Sequence, residues 1–298
     1  MNQKISTHLW FDREAKEAAR FYTSVFPGSE IIRTTKLNGT PSGQVDMVKI
    51  SLSGQEFTLI SAGPLFKFNP SVSFHVSCST EDETRAFWNK LSESGKVLME
   101  FGSYPFSKLF GWTNDKYGLS WQIIFTGENS VRQKITPALM FTGKVGGQAE
   151  AAVNFYTSVF HDSRIDQIRR YGKNQEPEPE NSVQYAAFTL ENMNFGAMDS
   201  AQPHGFGFNE SVSFMVHCDS QEQIDYYWDK LSADPKSEQC GWLKDKFGLS
   251  WQIVPVVLDQ MLSDRNPENN ARVTEAFLKM KKFDIAQLEK AYSQENKR

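Results

Sequence analysis

The groups in this 298-residue chain that could do chemistry are few: five histidines, three cysteines and some polar residues on strand-like segments. Val72–Cys78 alternates, with Val72, Phe74, Val76 and Cys78 facing one way and Ser73, His75 and Ser77 the other. His75 beside Ser73 is an imidazole–hydroxyl pair suited to hydrogen bonding or acid–base work. His8 and His217 lie singly on strand-like stretches, and His161 and His204 fall in loops. Asp46 and Glu56 make no acid–base dyad, because nothing fixes their separation. Cys78, Cys218 and Cys240 are odd in number and lack CxxC spacing, which argues against a disulfide framework and for a reducing cytoplasm. A net charge of −4, with basic residues scattered except at Lys279, Lys281 and Lys282, gives no electrostatic case for nucleic acid. No apolar run reaches the ~18 residues of a membrane span, and the N-terminus lacks the apolar segment of a signal peptide.

These residues sit in a repeat. FYTSVF occurs at Phe21–Phe26 and Phe155–Phe160, and SVSF at Ser71–Phe74 and Ser211–Phe214. DKYGLSWQI at Asp115–Ile123 returns as DKFGLSWQI at Asp245–Ile253, and QKISTHLWF at Gln3–Phe11 matches QKITPALMF at Gln133–Phe141. Matches in one order, some 130 residues apart, predict two domains rather than a solenoid. The boundaries are 1–127 and 133–257, with a polar linker between them and a tail at 258–298. Copy two gains a loop at Gly143–Gly147 and an acidic, proline-containing loop at Asn174–Asn181, expected to be mobile. It lacks the apolar segment that copy one keeps at Val97–Phe106. Aligning the copies sets His8 against Ala138, His75 against Met215 and His217 against Ser77.

Each copy reads as two βαβββ-type units. Ile5–Phe11 is a strand, and Glu14–Phe26 a helix with Ala18, Phe21, Tyr22 and Val25 as its stripe. Glu30–Leu37, Val45–Leu52, Phe57–Ser61, Val72–Cys78 and Leu119–Phe125 are strands, and Glu81–Ser92 is the second helix. Asp115–Gly118 and Asp245–Gly248 are hairpin turns. Trp121 and Trp251 alternate with Gln122 and Gln252 and are read as core, whereas Trp112 and Trp242 could equally be core or pocket wall. Asn269–Lys281 and Ile285–Tyr292 form an α-hairpin. One face of each sheet buries against helices, and the other, carrying small and polar residues, lines a cupped and wetter surface.

The βαβββ order, the helix EAARFYTSVFPGSE and the closing WTNDKYGLSWQI resemble the PhnB-like branch of the vicinal-oxygen-chelate (glyoxalase/bleomycin-resistance/dioxygenase) superfamily. That branch often carries the label 3-demethylubiquinone-9 3-methyltransferase. The chain has no glycine-rich strand–helix turn of the kind a typical S-adenosylmethionine enzyme uses. The resemblance covers both copies to about Val257. It implies an α+β fold of tandem glyoxalase-like domains built from paired βαβββ units, here with a C-terminal α-hairpin. It also implies a small-molecule site in the sheet cup, where relatives commonly hold a divalent metal through His and Glu. The matching positions here are Thr7, Ile60, Ser73 and Gln122 in copy one, and Pro137, Asp199, Ser213 and Gln252 in copy two, the first-strand position being fixed only to within one residue. An amide is a poor metal ligand and a good two-way hydrogen-bonder.

The expectation is a cytoplasmic protein without metal or cofactor that binds a small, partly apolar molecule. Ser73 and Gln122 would hydrogen-bond it, Trp112 would wall it, and His75 would be the candidate catalytic group. Ser213, Gln252 and Trp242 are their second-copy counterparts. The working pocket is expected in the first copy's cup, or in a groove it shares with copy two. The rivals are a metal-dependent lyase, isomerase or dioxygenase of the same superfamily, and a drug-sequestering, bleomycin-resistance-like binder. Neither nucleic acid nor membrane is an expected partner; the copies are expected to form an intramolecular pseudo-dimer, with further self-association open.

Overall fold

A computed structural model describes residues 3–40, 42–127, 133–264 and 266–293. The expected linker at 128–132 lies outside the described residues. Copy one contributes β1 (Ile5–Phe11), α1 (Ala15–Val25), β2 (Glu30–Thr40), β3 (Gly43–Leu52), β4 (Gln55–Ser61), β5 (Val72–Cys78), α2 (Glu81–Ser92), β6 (Lys96–Tyr104), β7 (Ser107–Asn114) and β8 (Ser120–Phe125). Copy two contributes β9 (Ile135–Phe141), α3 (Ala149–Val159), β10 (Arg164–Arg170), β11 (Val183–Leu190), β12 (Met193–Asp199), β13 (Val212–Cys218), α4 (Gln221–Leu231), β14 (Trp242–Lys244) and β15 (Ser250–Pro255). The tail forms α5 (Val256–Met261), α6 (Pro267–Leu278) and α7 (Ile285–Ser293).

The compact units do not follow the repeat. One consists of Met1–Phe66 with Asn209–Arg298, the other of Lys67–Phe208. The first holds a seven-stranded mixed sheet, β14-β15-β13-β1-β4-β3-β2. Its seam is β1 against β13, antiparallel, with His8 opposite Ser213. The second holds an eight-stranded sheet, β10-β11-β12-β9-β5-β8-β7-β6, with β5 against β9 at its seam and Ser73 opposite Ala138. Each unit therefore joins the first half of one copy to the second half of the other. This differs from the expected single compact domain per copy. The cause is that β5 and β13 carry the same SVSF edge, so either could pair with β1, and a repeat in sequence does not say which does.

Periodicity explains the helices. In α1, Ala15, Ala18, Ala19, Tyr22 and Val25 are buried in one stripe, and Gly28 takes the left-handed conformation (φ 65°) just beyond its end. Thr80 caps α2 by accepting from Glu83 N at 3.1 Å, while the Glu83 carboxylate accepts from Ser79 N at 2.8 Å. Helices α1 and α4 pack on the first unit's sheet, α2 and α3 on the second's. Phe74, Val76, Trp121 and Ile123, and likewise Phe214, Val216, Trp251 and Ile253, form these helix-side cores, all essentially fully buried.

The shared DK[YF]GLSWQI motif builds its own turn. Asp115 Oδ1 accepts from Tyr117 N and Leu119 N, and its Oδ2 accepts from Trp121 Nε1 at 2.8 Å. Asp245 repeats this with Phe247 N, Leu249 N and Trp251 Nε1 at 2.9 Å. The carboxylate lets an indole N–H sit in the core without an unpaired donor.

Copy two's deletion removes the counterpart of β6 and leaves β14 three residues long at the sheet's edge. Lys244 O and Trp242 O accept from Ala233 N and Gln239 N of the α4–β14 connection, and the tail satisfies the backbone just before the strand: Cys240 N donates to Met280 O and Gly241 N to Lys281 O. Gly241 is required there. Its φ is 81°, and a Cβ would lie 2.4 Å from the Phe283 ring. The tail helices begin and end within a few residues of expectation, α6 stopping at Leu278 rather than Lys281. In the Asn174–Asn181 loop, Glu178 is fastened to Ser200 Oγ and Ala201 N.

Candidate functional site

In the first unit, one face of the seven-stranded sheet meets the tail around a cavity of about 160 Å³, every strand contributing a lining residue. Its walls are rings and aliphatic chains: Trp10, Ile60, Met215, Trp242, Val254, and Leu258, Leu262, Phe277 and Phe283 from the tail. His8, His217, Gln252 and Cys240 supply polar atoms, and Arg33, Lys49 and Asp259 form a charged cluster on the lining. A void near 150 Å³ with apolar walls is the size that admits a single benzene ring.

His8 is 3% exposed, and its Nδ1 is buried without a hydrogen-bond partner. Its ring meets Trp242 edge-on, centroids 5.1 Å apart. Burial pushes its pKa down to about 3. His217 Nε2 pairs with Ser6 Oγ at 2.8 Å, and its pKa falls to about 4, through burial first and Lys49 second. Both imidazoles are therefore neutral at pH 7. Gln252 Nε2 donates to Ser213 Oγ at 3.0 Å, which fixes the amide beside the cavity.

The corresponding face of the second unit carries the remaining expected residues. Gln122 Nε2 donates to Ser73 Oγ at 2.8 Å, and Trp112 Nε1 donates to Ser120 Oγ at 2.8 Å. His75 stacks on Tyr185 at 5.7 Å, with the Arg169 guanidinium over the same tyrosine at 5.9 Å. His75 Nε2 is buried without a partner, and burial lowers the ring's pKa to about 4, a hydrogen bond with Gln122 opposing. Ser73, His75, Gln122 and Trp112 are thus brought to one face, as are Ser213, Gln252 and Trp242 in the first unit.

Thr7 is not brought to Ser73 and Gln122. It lies in the other unit's sheet and, in register with Phe57 and Phe214, faces the helix-side core; its neighbour His8 faces the cup. Pro137 opposes Phe74 in the same way, so Ala138 is its cup-facing neighbour. The register was legible in the apolar phase Ile5, Leu9, Phe11, which Thr7 shares. Asp199 is also removed from the cup: Oδ1 accepts from Ala149 N at the start of α3 and Oδ2 from Val183 N. Tyr185 and the tail residues carried no local signal, since only the sheet pairing and tail docking place them.

The positions where superfamily members hold a metal therefore present His8, Ile60, Ser213 and Gln252 in one unit and Ala138, Met198, Ser73 and Gln122 in the other. One imidazole with neutral amides and hydroxyls does not fit a divalent transition metal. Among the described residues, no three His, Cys, Asp or Glu side chains gather as a metal ion would require.

The paired sheets and their cupped faces make a glyoxalase-like fold. The model of the family described as 3-demethylubiquinone-9 3-methyltransferase matches twice, at residues 3–124 and 133–254, and the chain belongs to this PhnB-like family. Among solved structures, the PhnB protein of Bacillus cereus is 43% identical, covering 42% of this chain and 100% of its own, with a TM-score of 0.39. A protein from Staphylococcus aureus is 32% identical over 42% of this chain and 98% of its own, TM-score 0.18. Glyoxalase I of Zea mays is 12% identical, covers 88% of this chain and 98% of its own, and has a TM-score of 0.51, a likeness of fold. No curated protein sequence matches the chain.

Proposed function

We propose that the first unit binds a small, partly apolar molecule of about one ring in its cavity, without a metal. The observation that carries this reading is the buried, unpartnered His8 Nδ1 in a ring-walled cavity. A buried polar atom without a partner costs about 1–3 kcal/mol, which a ligand hydrogen bond would offset. The histidines have pKa values of about 3 and 4 and are weak bases at neutral pH, which favours binding over proton abstraction. Three free cysteines, two of them buried with their thiols pushed up to about 12, suit a reducing cytoplasm.

A second candidate is the face of the other unit, favoured by His75 Nε2, which is also buried and unpartnered. There Ser73 and Gln122 would hydrogen-bond a ligand, Trp112 would wall it, and His75 would contact it.

A thermal-shift screen of monocyclic compounds, run with and without added divalent metals, tests both sites. Specific binding raises the melting temperature by mass action. His8→Ala should weaken a cavity ligand by about 1–3 kcal/mol while His75→Ala leaves it unchanged. The reverse pattern moves the site to the second unit. Stoichiometric metal in native protein, required for the shift, would overturn the metal-free reading.

A further inference from the structure

The charged cluster on the cavity lining is built from both the cup and the tail. Arg33 on β2 and Lys49 on β3 line it from the sheet. Asp259 on α5 reaches down between them, paired with Arg33 and 3.6 Å from Lys49 Nζ. Lys49 also holds Glu56 at 2.8 Å. Two cations thus meet two carboxylates, and the group carries no net charge. The side chains of Arg33, Lys49 and Glu56 are 27%, 20% and 24% exposed and that of Asp259 is 42% exposed, so the Lys49–Glu56 pair is strengthened over its value in water while the pairings of Asp259 are partly screened by solvent. With Asp259 removed, the lining would carry an excess positive charge beside apolar walls.

We propose that Asp259 sets the charge preference of the cavity: it occupies the place of a ligand's carboxylate, so the site takes neutral monocyclic molecules and rejects their anionic counterparts. This rests on the cavity of the first unit being the binding site. An anion entering the native site must compete with Asp259 for Arg33 and Lys49 and meets like-charge repulsion from it. A neutral alcohol or phenol meets neither obstacle. The tail is therefore part of the recognition surface as well as the partner of the backbone just before copy two's shortened edge strand.

Benzyl alcohol and benzoate form a matched pair of probes, and Trp10 and Trp242 provide a fluorescence signal within the cavity. The full chain should bind benzyl alcohol at least about tenfold more tightly than benzoate. Asp259→Asn should tighten benzoate about tenfold and leave benzyl alcohol within about threefold, and adding Lys49→Met should abolish the gain. Glu56→Gln raises the same net charge without touching the tail, and should also tighten benzoate even if Asp259→Asn loosens α5. Benzyl alcohol binding with no benzoate gain in either variant overturns the assignment to Asp259 and leaves the cavity reading standing. Absence of binding by both probes to every protein overturns the cavity reading and this inference with it.

Discussion

At the scale of single residues, His8 shows how burial decides chemistry. It is 3% exposed, its pKa is pushed to about 3, and its unfolded value is near 6.5. Above pH 6.5 neither state binds the proton, so His8 adds no pH dependence. Between 6.5 and about 3 the unfolded chain binds a proton that the folded one refuses, so stability falls as pH falls. At pH 5 this amounts to about 2 kcal/mol, to which His75 and His217 add in the same direction. Urea unfolding at pH 7 and pH 5 checks this: the loss should be smaller in His8→Ala, and an equal loss in both proteins would show that the ring is not held neutral by burial. His8 was passed over in the sequence because a lone histidine on a strand has no signature, and because Thr7, one residue away, took its place. The apolar phase of β1 shows the right register, whereas the missing partner of Nδ1 needs the assembled cup.

At the scale of elements, the tail replaces part of what copy two lost, pairing with residues 240 and 241 ahead of β14. The deletion before Trp242 was visible by aligning the copies, and so was its consequence, an unfilled sheet edge. That residues 280–283 would pair beside it was not visible, because a backbone donor such as Gly241 N accepts a partner from anywhere in the chain. Gly241 tests the docking. Gly241→Ala forces a side chain onto the Phe283 ring in a left-handed backbone, and should cost about 2–4 kcal/mol. Limited proteolysis should then cut within residues 258–293 faster than in the native chain. Unchanged cleavage and stability would mean that the tail is held by its helices alone.

At the scale of the molecule, each compact unit needs chain from both copies. An edge such as β1 or β5 carries unpaired backbone groups unless its partner strand arrives from the other copy. A protease site introduced between residues 127 and 133 should therefore yield two fragments that co-elute as one species under native conditions. Residues 1–127 expressed alone should self-associate through the free β1 and β5 edges, as light scattering would report. Separation of the cleaved halves into two stable monomers would contradict the interleaved pairing.

The repeat, the βαβββ order, the family and the residue types of the cup could all be read along the chain. These rest on local rules: side-chain alternation, helical stripes, and a turn in which Asp115 or Asp245 serves its own neighbours within six residues. That His8, Ser213 and Gln252 share one cup while Ser73, His75 and Gln122 share another, and that Asp259 lines the first, follows from strand pairing and tail docking. Two near-identical strand edges are equally good partners for β1 by any local measure. The choice between them, like the pairing of Asp259 on the tail with Arg33, 226 residues away in sequence, is made by long-range packing, which leaves no periodic trace in the chain.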